Sequence, residues 1–297
     1  MTSWRSPSVP GFADPTRWLT DADLDFLVRA ASTRRTDFER IRELIRDKPD
    51  ILDVMLDDER VYQRMASDDE ILLKVSPRLL FTVLLRRVRR LLRESHFTVE
   101  GGPSGRLPVF DARQAARLVE QPPVLGYLAD MLASFVRTEP RAVVFRRGQT
   151  YYRKVFSDID VDDLMTLAEL VDRAERFALY KRVADLCLFL LGMFPEHIDR
   201  SAARAGRNPW DQTRIRLRGR LRDRADYERI GQEFYQRAAQ DEAAARMGLA
   251  EVMSTIADHF VLATKPLNVL AGQVIPLRRL AWFAPAGPGF SVPGGAR

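Results

Sequence analysis

Pro77-Arg-Leu-Leu-Phe-Thr-Val-Leu-Leu-Arg-Arg-Val-Arg-Arg-Leu-Leu-Arg93 is the most sharply sorted stretch of this 297-residue chain. Projected near 100° per residue, Leu80, Phe81, Leu84, Leu85, Val88, Leu91 and Leu92 fall on one side, with Arg86, Arg89, Arg90 and Arg93 opposite. The pattern predicts a core helix with a solvated basic outer face, and phosphate contact is the competing reading of the arginines.

Upstream, Thr20 caps a helix through Ala31, and Thr36 with Glu39 forms a capping box for a helix whose Phe38, Ile41, Leu44 and Ile45 share a face. Pro49 closes that helix. Another is expected over 50–65, and Ser67 with Glu70 reads as a second capping box. Downstream, Phe97-Thr-Val-Glu100 and Leu107-Pro-Val-Phe110 flank Gly101-Gly-Pro-Ser-Gly105, which predicts two short strands joined by a turn. Asp111, with Gln114 at the reciprocal position, caps a short helix, and Pro122 and Pro123 open one that runs to about residue 137. Val143-Val-Phe-Arg-Arg147 and Thr150-Tyr-Tyr-Arg-Lys-Val-Phe156, joined at Gly148-Gln149, predict a second hairpin.

Helix returns over 161–173 and over 176–194, the latter so apolar that it must be buried, and Pro195 ends it. Residues 199–224 carry nine arginines against three aspartates, the composition of a polar connector. Helices over 225–240 and 244–263 precede Pro266 and a last helical turn. The expected fold is mainly α, with one or two small β-hairpins near the middle. Its expected organisation is a flexible lead-in over 1–15, a main helical domain over 16–198, an arginine-rich connector over 199–224, a helical hairpin over 225–275 and a flexible tail over 276–297.

With 46% hydrophobic residues the chain buries a real core, so global disorder is excluded, and the net charge of +6 permits acidic partners without demanding them. Lysine is confined to Lys48, Lys74, Lys154, Lys181 and Lys265. Replacement of lysine by arginine along the whole chain points to gene base composition, which lowers the weight of each arginine cluster. The lone Cys187 excludes an intramolecular disulfide, fits a reducing compartment, and in Leu-Cys-Leu-Phe-Leu-Leu reads as a buried small hydrophobe. The apolar run 186–194 is far shorter than the roughly 20 residues that span a bilayer, and Met-Thr-Ser-Trp-Arg leads into no signal-peptide core. A cytoplasmic protein with no membrane partner is expected.

Read in order, the elements over 77–156 resemble a winged-helix domain. The resemblance makes the helix from Pro122 the recognition helix and the turn at Gly148 the wing. It implies nucleic-acid contact through Arg146, Arg147, Tyr151, Arg153 and Lys154, with Arg86 and Arg90 extending the basic surface. The would-be recognition helix offers Val124, Leu125, Tyr127, Leu128, Asp130, Met131, Leu132 and Phe135 where a groove reader carries Arg, Lys, Asn or Gln. Near the carboxyl end, Tyr227, Ile230, Gly231, Phe234 and Ala238 resemble the first helix of a tetratricopeptide repeat, with Gly231 admitting a neighbouring helix.

Local motifs for chemistry are missing. His96, His197 and His259 have no second ligand at metal-binding spacing, and 101–105 lacks the Lys-Ser/Thr of a phosphate loop. The acidic groups at 68–70 and 162–163 read as helix starts, and 57–59 as exposed helix surface. No catalytic residue, metal or cofactor is expected. Three functions stay open: a helical adaptor that binds a protein partner, a nucleic-acid-binding regulator, and an enzyme whose site is assembled from distant residues. The apolar helix over 176–194 serves a homo-oligomer interface as readily as a core.

Overall fold

The computed structural model describes residues 18–31, 38–102, 105–136, 141–147, 150–156, 160–196, 198–199 and 222–275. The lead-in, Thr36, His197, the Gly148-Gln149 turn, most of the connector and the tail lie outside the described residues. The chain is mainly helical, as its periodicities require, with two two-stranded antiparallel ribbons in its middle.

Five short helices open it: α1 (Asp21–Ala31), α2 (Phe38–Asp47), α3 (Pro49–Leu56), α4 (Glu59–Ser67) and α5 (Ile71–Lys74). At α1 the Asp23 N–H donates to Thr20 Oγ1 (3.1 Å) while Thr20 N–H donates to Asp23 Oδ2 (3.0 Å), a reciprocal cap. The other Asp23 oxygen accepts from Ser76 N–H at 2.7 Å, and Ser76 caps α6 (Pro77–Glu94) through Leu79 N–H. One buried carboxylate therefore fixes the starts of two helices far apart in sequence.

The segment 50–65 is broken at Asp57 and Asp58 into α3 and α4, with Asp58 accepting from Arg60 N–H at 2.8 Å to start α4. The second expected capping box does not form. Ser67 ends α4 and turns its hydroxyl back to the Arg64 carbonyl, and Asp68 accepts from Glu70 N–H instead.

The face of α6 expected to be a solvated basic coat is matched to carboxylates. Arg86 reaches Asp53 (2.5 Å) and Asp57 (2.8 Å), Arg89 reaches Asp57 (3.1 Å), Arg87 and Arg90 reach Glu59 (3.1 and 3.6 Å), and Arg93 reaches Glu120 (2.5 Å). Its apolar stripe is buried from Leu79 to Leu85 and at Val88 and Leu92, against α7 (Ala112–Glu120) and α8 (Pro122–Val136).

Between α6 and α7 stand β1 (Thr98–Gly102) and β2 (Gly105–Val109). A longer ribbon, β3 (Arg141–Arg147) with β4 (Thr150–Phe156), leads to α9 (Val161–Leu170). Asp160 caps α9 through Asp163 N–H at 3.0 Å.

Helix α10 (Arg173–Met193) is the axis of the fold. Every residue from 182 to 193 is buried, Arg182 and Asp185 among otherwise apolar side chains, so this half of the helix needs cover on all sides. The cover comes from α9, from α11 (Arg224–Ala239) and from α14 (Phe260–Val269), with Phe135 of α8 stacked on Phe189 at 4.1 Å between ring centroids. The apolar helix offered above as an oligomer face is thus consumed within one chain.

Beyond α11 come α12 (Glu242–Arg246) and α13 (Ala250–Asp258), so the helix expected over 244–263 is three pieces, divided at Gly248 and at His259. Pro266 lies inside α14, which passes into a π-helical turn over Leu270–Val274. These carboxyl-terminal helices share one continuous core with α1 to α10.

Two glycines set the closest approaches. A Cβ on Gly231 of α11 would lie 2.2 Å from Phe260 Cζ and 3.1 Å from Cys187 Cβ; one on Gly192 of α10 would lie 2.5 Å from Leu267 Cβ. Gly231→Ala is therefore expected to overpack the core and lower the unfolding free energy by about 1–3 kcal/mol. Gly272→Ala, which meets nothing within 4 Å, is expected to be neutral or slightly stabilising. Urea denaturation of the two variants beside the parent reads this difference, and equal midpoints would refute it.

Candidate interaction surface

Three features outside ordinary apolar packing bear on function: a buried polar cluster, a charged cleft and the outward face of the first ribbon.

The cluster centres on Asp185 of α10. Tyr127 Oη of α8 and Tyr235 Oη of α11 both donate to Asp185 Oδ1 at 2.7 Å, and Lys181 Nζ, one turn earlier, lies 2.5 Å from Oδ2. Lys181 also stands over the Tyr127 ring at 4.9 Å. Burial, and then the Asp185 charge beside them, hold both phenols neutral well above the ordinary tyrosine pKa. Asp185, Tyr127 and Tyr235 are all at or below 1% exposure, Lys181 is the partly exposed member, and the cluster ties three helices together. Sequence reasoning missed it, although an aspartate inside a helix that must be buried demands donors, and Lys181 at i−4 was already in view.

A cleft of about 460 Å³ opens between α9, α10 and α11, with Met165, Tyr180, Ile230 and Phe234 among its apolar lining. Its cations are largely matched nearby: Arg237 to Glu233 (2.5 Å), Arg229 to Asp226 (3.7 Å) and Glu233 (3.8 Å), and Arg222 to Asp162 (2.5 Å). Arg237 also covers the Phe234 ring at 5.2 Å. Such a lining stabilises the α9–α10–α11 junction and presents little uncompensated charge to a ligand.

The first ribbon differs from both. Its register pairs Thr98 with Val109 and Val99 with Pro108, so 98 and 109 share one face while 97, 99, 108 and 110 share the other. Thr98 is buried and donates from Oγ1 to Asp111 Oδ1, and Lys265 Nζ of α14 lies 3.1 Å from Asp111 Oδ2. Asp111 was expected to cap α7 with its side chain. It occupies the N-cap position but makes no such bond, because both oxygens are committed to the ribbon and to α14.

The opposite face is apolar and open to solvent. Phe97 is 47% exposed, Val99 46% and Phe110 80%, and the two phenyl rings meet edge-to-face at 6.4 Å. Pro108 is exposed beside them.

Of the expected nucleic-acid residues, Arg86 and Arg90 lie on α6 and the other five lie on β3 and β4. Arg86 and Arg90 are held by Asp53, Asp57 and Glu59. Helix α8 buries Val124, Leu125, Tyr127, Leu128, Met131, Leu132 and Phe135, so the helix nominated for groove reading is core. In β3–β4 the register aligns Arg146 with Tyr151 and Val144 with Arg153, placing 146, 151 and 153 on one face and Arg147 and Lys154 on the other.

No protein family, characterised protein or solved structure matches this chain in comparison. None of the described helices is long and apolar enough to cross a membrane.

The buried phenols carry a pH signature. Their folded-state pKa values lie above the unfolded value near 10, so the stability they contribute is fully present below about pH 10 and is lost as pH rises beyond it. Substituting both Tyr127 and Tyr235 by Phe is expected to lower stability at neutral pH and to flatten its alkaline decline. Urea midpoints followed between about pH 9 and pH 11 test this, and an unchanged slope would refute it.

Proposed function

We propose that this protein is a non-enzymatic helical interaction protein, acting in a reducing compartment such as the cytoplasm, that binds a protein partner through the outward face of the β1–β2 ribbon. The observation that carries the reading is the cluster of Phe97, Val99, Pro108 and Phe110 on one exposed face. Scattered exposed apolar residues are ordinary, whereas a contiguous set containing two aromatic rings is the composition of a recognition patch. Thr98, Asp111 and Lys265 hold the other face to the helical body, so the patch is presented on a fixed base.

Phe97→Ser and Phe110→Ser remove exposed rings and are expected to leave the unfolding midpoint within the narrow range of surface substitutions. Both are expected to abolish a cross-link to a defined partner band that the parent chain forms in cell extract. A band retained at parental intensity in both variants would refute the ribbon as the interface.

A second reading, nucleic-acid binding through β3–β4, is favoured by the register that sets Arg146, Tyr151 and Arg153 on one face. On that reading duplex DNA affinity falls with salt, and Arg146→Ala with Arg153→Ala flattens the log–log slope by about two units if each arginine neutralises one phosphate. Absence of salt-sensitive binding at low ionic strength would dismiss it.

A further inference from the structure

We draw no further inference here: the strongest candidate, the stretch 200–221 of the arginine-rich connector, whose seven arginines against one aspartate account for the whole chain's net charge of +6 and which is flanked by the Asp199–Arg224 and Asp162–Arg222 ion pairs, lies outside the described residues, so nothing in the structure shows what its charge meets.

Discussion

A helix buried on every side has to be wrapped, and the second half of α10 imposes that condition on the rest of the chain. From Arg182 to Met193 every side of it is buried, so helices must be supplied all around it. Each fully buried Leu or Phe there contributes on the order of 1.5–3 kcal/mol relative to exposure, and that gain is collected only when α8, α9, α11 and α14 are all in place. The glycines at 192 and 231 let two of those neighbours come close enough to leave no gap. Asp185 adds direction to what would otherwise be non-specific apolar packing. Its carboxylate is satisfied only when Tyr127 of α8 and Tyr235 of α11 arrive together, so a slipped helix would leave a buried charge short of donors.

The sequence was legible where the signal is local. Thr20 caps its helix as its side-chain chemistry requires, α6 shows its stripe in order, and the strands around Gly101 form where turn residues separate them. Gly231 admits Phe260 as its size suggested. What escaped was settled by partners distant along the chain. The arginines of α6 look solvated until α3 and α4 bring Asp53, Asp57 and Glu59 across them, and Asp111 looks like a cap until Lys265 arrives from α14.

The candidate surface escaped for a different reason. Along 97–99 and 108–110 both faces of the ribbon contain residues able to be buried, so a period of two identifies strands without saying which side is core. The Thr98 hydroxyl decides it by finding Asp111, and the more apolar face is left outside. An ordinary ribbon would be expected to pack its phenylalanines inward and turn its threonine to water. The inversion here follows from a polar anchor on the inner side, and it converts a structural element into a presented one.

The wrapping of α10 has a consequence for how the protein is made. Synthesis runs from the amino end, so α10 is completed at Met193 while α11 begins only at Arg224 and α14 at Phe260. During that interval the buried half of α10 exists without two of its main covers, and transiently bare apolar surface of this kind is what drives aggregation and engages chaperones. The intervening arginine-rich stretch is charged and poor in large apolar residues, so the part of the chain translated in the meantime adds like-charge repulsion rather than further sticky surface. A newborn chain paused after α10 would thus be far more dependent on chaperone shelter than the finished protein.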